Sequence, residues 1–462
     1  MSETTAIAGK VDLARLLKIV TREIEDEITP ALSNDRARTS ARMLSGLLRY
    51  AIADMADPIG DEGPAVAGLQ GPDRQGRLDE TALAAIATER DAMAARNALE
   101  SALPLPRRDA AEQEALTLTP ARLEAYFRDH PFSEDAVAID DVEQLFGGFS
   151  KETYLLSGRW GSRPAKFILR RDKKDGAVET SVIDEFHVID RLHALGLAVP
   201  PPLAVESDPS FFGQPVALTG WLPGAAASNT QGMVMSAEHS VAARELAAFL
   251  GQLHAIDPQA AGLSLGENGS MSARDFILAD IERSEKSWQR RSHAASPILL
   301  SAYAWLKANI PDLSGPDLSG PGLSDFAPRI VHGDAGLHNI MIHDGRISAM
   351  LDWELTHLGD PVEDLAYCRT WVDQVLPWEE FLDIYYLHGG PEYRPERQGF
   401  YGVLADVRIA AFSANCVDIV NNDPHPELAW AVGGTQYRRV FKTLVANRLL
   451  AIHDETKAAA EA

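Results

Sequence analysis

Residues 329–369, RIVHGDAGLHNIMIHDGRISAMLDWELTHLGDPVEDLAYCR, constrain the fold more than any other stretch of the chain. Apolar Ile330 and Val331 lead into a polar loop. The runs IMI and RISAML then flank Asp344-Gly345, the dipeptide favoured by a two-residue type I′ turn, whose central residues both take positive φ. A tight hairpin there returns the chain beside the loop it has just left. Asp334 and Asn339, five residues apart, then fall close together, and Asp352 leaves the second strand of the hairpin facing the same space. The spacing predicts that two carboxylates and one amide converge.

The chain around this hairpin has 462 residues, beyond the roughly 250 to 300 at which one hydrophobic core stops growing, so two or three domains are expected. Leu13, Leu16, Leu17, Val20, Ile24 and Ile28 form a helical stripe from Lys10 to about Ile28. Further helices are predicted over Asp35–Ala53 and Asp79–Ala102, the last stopped by Pro104 and Pro106, so residues 1–130 read as an all-helical domain. From Ala136 the pattern changes to short β-prone runs, VAIDDVEQL, TYLLSG and AKFILRR, separated by glycine-bearing turns. A helix over about Ser181–Leu195 follows, then a break at Pro200–Pro202 and the strand PVALTGW. From about Ser236 onward helices dominate. The pentapeptides PDLSG, PDLSG and PGLSD at 311–325 are too short and too rich in Pro and Gly to build a solenoid and read as an exposed loop.

Composition narrows the partners. Lys plus Arg number 43 against 67 Asp plus Glu, a net charge of −24, and such a field repels polyanions, which disfavours nucleic acid. Cys368 and Cys416 stand far apart without metal-ligand spacing, so they read as buried free thiols. The N-terminus lacks the basic, apolar and small-residue order of a secretory leader, which points to the cytoplasm. The long uncharged stretch from Pro209 to Ala237 is interrupted by Pro and Gly and does not read as a membrane span.

The predicted cluster fits phosphoryl transfer. A triphosphate needs divalent cations, and the attacking hydroxyl needs an acceptor for its proton. Mg²⁺ takes oxygen ligands from one or two carboxylates together with phosphate and water, and Asp352 and the Asn339 side-chain carbonyl are ligands of that kind. Asp334 would orient the acceptor hydroxyl and receive its proton. Taken singly, each aspartate is more often a turn or cap residue; their joint spacing favours chemistry. Gly262-Leu263-Ser264-Leu265-Gly266 matches the GxSxG hydrolase pattern, but its flanks supply neither the strand nor the helix that pattern requires.

His332, Gly333, Asp334 and Asn339, followed by Asp352-Trp353-Glu354, resemble the aminoglycoside phosphotransferase and choline kinase-like family over about residues 140–450. The resemblance implies an α+β, protein-kinase-like two-lobed fold, with a small antiparallel-sheet N-lobe over 136–221 and a helical C-lobe over 222–455, here following the helical domain. It also implies a catalytic Asp334, with Asn339 and Asp352 as magnesium ligands. Arg170 in FILRRD matches the strand cation that meets the nucleotide phosphates, where many relatives carry lysine, and Glu185 matches its helix partner. Lys166 and Arg171 stand as alternative cations. Gly147, Gly148, Phe149 and Ser150 resemble the phosphate-covering turn, and Thr219, Gly220 and Trp221 the hinge, where backbone groups of Gly220 and Trp221 would meet adenine. His332, Asp360, Pro361 and Asp364 match structural supports of the catalytic loop.

The implied activity is transfer of the γ-phosphoryl group of ATP, with Mg²⁺, to a hydroxyl of a small molecule. The segments LRRD, EFHVIDRLHALGLAVPPPLAV and LDWELTHLGDPVEDLAY look closest to the kinase-like domain fused to certain acyl-CoA dehydrogenases, which suggests a hydroxyacyl acceptor. Aminoglycosides, choline-like alcohols and amino-acid hydroxyls stay open. The competing reading is a nucleotide-binding pseudokinase or scaffold with no phosphotransfer. Neither the oligomeric state nor the role of residues 1–130 is legible.

Overall fold

The computed structural model describes residues 81–88, 118–145, 150–173, 180–227, 239–263, 273–291, 296–311, 328–422 and 428–461. The helices expected over 10–28 and 35–53, the Gly147-Gly148-Phe149 turn, Ser264 and the repeated pentapeptides beyond Pro311 lie outside these residues. Of the helix expected over 79–102, residues 81–88 are described and are helical. The described residues fall into two units, one within 113–270 and 315–398, the other within 1–112, 271–314 and 399–462.

The first unit carries the sheet. Helix α1 (Pro120–Asp129) starts with Thr119 as its N-cap and proline in the first turn, the position where a missing N–H costs nothing. Its Leu123, Tyr126 and Phe127 join Leu156, Phe167, Leu169 and Leu218 in a core on one face of the sheet. Strands β1 (Val137–Leu145), β2 (Lys151–Trp160) and β3 (Arg163–Asp172) form an antiparallel meander, matching the three β-prone runs. Helix α2 (Val182–Ala194) opens with a Ser181/Asp184 capping box and buries Val182, Ile189 and Leu192 together with Glu185. A carboxylate on an otherwise apolar stripe needs a partner, which the candidate site supplies.

Strands β4 (Pro202–Glu206) and β5 (Val216–Gly220) complete the sheet in the order β1-β2-β3-β5-β4. Where a break is expected at Pro200–Pro202, β4 begins at Pro202. It is an edge strand, where proline leaves no ladder hydrogen bond unmade. The two-residue strand β6 (Ala225–Ala226) and helix α3 (His239–Ala255) follow.

The hairpin region comes next. Strand β7 (Arg329–Val331) enters the polar loop, β8 (Ile340–His343) and β9 (Arg346–Met350) are the predicted hairpin, and β10 (His357–Gly359) pairs back on β7. Asp344 and Gly345 have φ of 49° and 74°, as the type I′ turn demands. Helices α4 (Val362–Val372) and α5 (Trp378–Leu387) close this unit.

The second unit is helical among its described residues, with helices at Ala273–Arg291, Pro297–Ala308, Gln398–Asn422, Leu428–Val432 and Arg438–Glu461. No helix among the described residues is long and apolar enough to cross a membrane. Cys368 and Cys416 are buried thiols outside any disulfide.

Candidate active site

The loop after β7 is held by a buried chain of polar groups. Asp364, on α4, accepts the backbone N–H of His332 on Oδ2 at 2.8 Å and that of Gly333 on Oδ1 at 2.9 Å. Its Oδ2 also lies 3.1 Å from His254 Nε2, and His254 Nδ1 lies 2.9 Å from the Tyr385 hydroxyl. Buried polar groups are costly unless each finds a partner, so this chain fixes the loop rather than merely filling space. Asp360 accepts from Val362 N at 3.0 Å and from Arg397 Nη1 at 2.9 Å. His332 is fully buried; its Nδ1 accepts from the Asp334 N–H at 3.2 Å, and its Nε2 faces the Leu351 carbonyl at 2.9 Å. His332, Asp360 and Asp364 thus sit in the supporting positions expected of them.

Gly333 has a steric reason. Its φ is +84°, and a Cβ there would lie 2.5 Å from the Leu355 carbonyl oxygen. The segment after Asp352 is therefore packed against the backbone of the loop.

Asp334 and Asn339 meet as predicted. Asn339 Nδ2 donates to Asp334 Oδ2 at 2.8 Å and to the Asp334 carbonyl at 3.0 Å. Both bonds use the amide nitrogen, which leaves the Oδ1 end of Asn339 for a cation. The Asn339 carbonyl accepts from Leu351 N at 2.7 Å, which brings Asp352 alongside. Asp352 itself is left-handed, with φ of 64°, a conformation aspartate tolerates better than most residues.

The strand cation is Arg170. Its Nη1 bonds Glu185 Oε1 and its Nη2 reaches Asp352 Oδ1 at 3.2 Å. Glu185 Oε1 also accepts the Trp353 N–H at 3.1 Å, tying α2 to the Asp352-Trp353-Glu354 segment. Trp353 is buried, bonds the Met350 carbonyl through Nε1 at 3.0 Å and packs its ring 4.6 Å from His332. Arg171 is no substitute cation. It points to the opposite face of the sheet, bonding Glu152 at 2.6 Å, the Phe212 carbonyl at 3.1 Å and the Tyr154 hydroxyl at 3.0 Å. Lys166 shares the Arg170 face but lies over the Trp221 ring, 5.0 Å from its centroid.

The electrostatics follow from this packing. Burial raises the Asp334 carboxyl, but the charge and hydrogen bond of His338, with a bond from the Tyr367 hydroxyl, outweigh it and hold the group at about 2. Burial also works against charge on Arg170, yet Glu185 and Asp352 hold it above its already high ordinary value. Burial pushes Glu185 up, with Arg170 pulling the other way. Glu354 is pushed up to about 8, first by burial and then by Asp352, and it accepts a hydrogen bond from Ser150 Oγ.

The hinge and turn residues bond within the chain. Gly220 N–H donates to the Pro201 carbonyl at 2.8 Å and Trp221 N–H to the Lys166 carbonyl at 3.2 Å. Both hinge amides are therefore held by backbone carbonyls of neighbouring segments. Ser150, expected to cover phosphate, commits its hydroxyl to Glu354; Gly148 lies outside the described residues.

A family model described as the phosphotransferase enzyme family (APH) matches residues 141–400, more than half of the chain. The chain belongs to that family. Among curated proteins it is similar to acyl-CoA dehydrogenase family member 11 of Rattus norvegicus, 30% identical over 253 residues that make up 53% of this chain and 30% of that protein. It is also similar to acyl-CoA dehydrogenase family member 10 of Mus musculus, 28% identical over 235 residues, 49% of this chain and 20% of that protein. The chain thus spans less than a third of the length of these relatives.

Among solved structures, a putative aminoglycoside phosphotransferase from Ralstonia eutropha superposes with a TM-score of 0.53 at 23% identity, covering 72% of this chain and 99% of that one. Choline kinase from Cryptosporidium parvum gives a TM-score of 0.50 at 13% identity, covering 73% and 97%. These likenesses establish the fold as the α+β kinase-like one.

His338 and Tyr367, the two side chains that join Asn339 on the Asp334 carboxylate, escaped the sequence reading, as did the Arg170–Asp352 contact. His338 stands four residues after Asp334, but outside a regular helix that spacing implies no contact. The Tyr367 contact depends on where α4 docks.

Proposed function

We propose that this phosphotransferase-family chain is an ATP-dependent kinase of a small hydroxylated molecule. One observation carries the reading. Asp334, Asn339 and Asp352, separated along the sequence, are linked through Asn339 and Leu351, and Arg170 bridges Asp352 to a buried Glu185.

The residues fit a magnesium nucleotide. Asp352 and the Asn339 Oδ1 are hard oxygen donors, the type this ion takes beside phosphate and water. When bound, the ion screens the phosphate charge and holds the triphosphate in line. Arg170, kept charged and oriented by Glu185, meets the phosphates, Gly148 and Ser150 are assigned to the phosphate-covering turn, and backbone groups of Gly220 and Trp221 meet adenine. Asp334 orients the acceptor hydroxyl. As the acceptor oxygen bonds to the γ-phosphorus and the bond to the leaving ADP oxygen breaks, the hydroxyl proton passes to Asp334 and then to solvent. The stretch matched in the acyl-CoA dehydrogenase relatives supports a hydroxyacyl compound as acceptor.

The test is nucleotide titration combined with a metabolite-library phosphorylation assay read by mass spectrometry. Asp334→Ala is expected to bind MgATP as the parent does while turnover falls on the order of 10²- to 10⁴-fold. Asp352→Ala is expected to weaken MgATP binding itself. A chain that binds MgATP but phosphorylates nothing would favour the scaffold reading, and an Asp334→Ala variant with near-normal turnover would remove the base.

A further inference from the structure

Asp334 has a second partner on the same oxygen that Asn339 holds. His338 Nε2 lies 3.2 Å from Asp334 Oδ2, the atom that also receives the Asn339 amide at 2.8 Å. A carboxylate only accepts, so the imidazole donates from Nε2. Two donors converging on Oδ2 fix the rotation of the carboxylate about its Cβ–Cγ bond. The Tyr367 hydroxyl is a third donor to the same carboxylate.

The ring reaches this place because residue 336 has no side chain. A Cβ on Gly336 would lie 2.3 Å from His338 Cε1 and 2.4 Å from Nδ1, distances at which the ring must move. The backbone gives no reason for a glycine there, since its φ of −98° and ψ of 159° suit any residue. The glycine is explained by the imidazole lying against it. Residues 336 and 338 therefore act as one device, a seat and the ring upon it.

We infer that His338, seated on Gly336, is a positioning residue that fixes the Asp334 carboxylate through Oδ2 and so aims it at the acceptor hydroxyl. This rests on the phosphotransfer reading above and goes beyond it by assigning the residues that aim the carboxylate. A carboxylate free to rotate would share its time between the two oxygens, and misplacement of a reacting group by about 1 Å can cost on the order of 10²-fold.

The test uses the full chain with MgATP alone, water serving as phosphoryl acceptor. His338→Ala and Gly336→Ala are each expected to lower kcat by about ten- to a hundredfold, with the KM for MgATP changed by less than about twofold. His338→Gln, whose amide can donate to the same oxygen, is expected to recover most of the loss. The Gly336→Ala/His338→Ala double variant is expected to be no slower than His338→Ala, because both substitutions remove one contact. A His338→Ala variant at parental kcat, or a double variant in which the two losses multiply, would overturn the assignment. If Asp334→Ala also hydrolyses MgATP at the parental rate, it is the phosphotransfer reading that fails instead.

Histidine side-chain ¹⁵N spectra decide the matter without turnover. The His338 resonances, assigned by their loss in His338→Ala, are expected to show a protonated Nε2 and to move in Asp334→Asn; resonances that stay in place would refute the contact.

Discussion

Glu185 joins three elements, and two substitutions separate what it contributes. Its Oε1 receives Arg170 Nη1 and the Trp353 N–H in a site almost closed to solvent. Glu185→Ala removes both bonds. It leaves the Trp353 amide, at the root of the Asp352 segment, without its acceptor, a loss of about 1 to 3 kcal/mol for a buried donor. It also strips one partner from a half-buried guanidinium, and breaking a pair with one member buried costs about 3 to 5 kcal/mol when nothing replaces it. Here Asp352 still holds Arg170 at 3.2 Å. The expected total therefore sits at the sum of the two lower bounds, about 4 kcal/mol. Glu185→Gln keeps an oxygen for Trp353 and for Arg170 and forfeits only the charge assistance, about 1 to 2 kcal/mol. Burial already works against that charge, which favours the smaller figure.

Urea unfolding of the parent and both variants measures these differences, and MgATP titration of the same samples reports the phosphate side. Both variants should bind MgATP more weakly, Glu185→Ala by more, because it frees Arg170 as well as Trp353. Two results would refute the reasoning. Equal destabilisation by Gln and Ala would mean that the charge, and not the Trp353 bond, carries the effect. A cost below about 1 kcal/mol for Ala would mean that the buried pair holds nothing.

Two further perturbations probe the scaffold. Gly251 lies where α3 crosses the end of α5, and a Cβ there would meet the Tyr385 carbonyl oxygen at 2.4 Å and His388 Cβ at 2.9 Å. Because a backbone carbonyl cannot swing aside, Gly251→Ala should destabilise the fold by about 1 to 3 kcal/mol despite its better helix propensity, measured by thermal and urea unfolding; a neutral result would show that the helices can part. In the helical unit, burial raises Asp406 from an ordinary 3.8 to about 6, with Arg448 opposing. The folded state then binds a proton more tightly than the unfolded one. This contributes stability that is full below pH 4 and lost as pH rises through about 6, about 3 kcal/mol at about 1.4 kcal/mol per unit. Asp406→Asn should flatten that part of the stability–pH curve, and an unchanged slope would exclude Asp406 as its source.

Local patterns made much of this legible in the sequence. The Asp344-Gly345 turn fixed the hairpin register, and with it the approach of Asp352 to the loop that carries Asp334 and Asn339. Period-two runs marked β1 to β3, and the family resemblance chose Arg170 over Arg171. Strand alternation gives the reason: residues of one parity face Glu185 and Asp352, those of the other face Glu152 and Tyr154. What the sequence hid depends on contacts distant along the chain. Strand β4 starts with a proline that reads as a break until its edge position is known. The hinge amides look available until β3 and the Pro201 carbonyl take them. His338, Gly336 and Tyr367 show no pattern because an irregular loop has no period, and Tyr367 meets Asp334 only once α4 has docked.

The acidity of Asp334 bears on how such a site can work. A carboxylate held at about 2 is a poor base, since it gives up a proton far more readily than a hydroxyl does. If proton removal led the reaction, the donors gathered around this group would oppose it. They suit a loose transition state, in which the bond to the leaving group is largely broken before the acceptor oxygen commits and the hydroxyl becomes acidic only late. Under the proposed phosphotransfer, what the acceptor needs from Asp334 is direction, which its donors His338, Asn339 and Tyr367 provide. The same bonds that weaken the base aim it. The site thereby gives up basicity that this chemistry uses little and gains an orientation that it uses throughout.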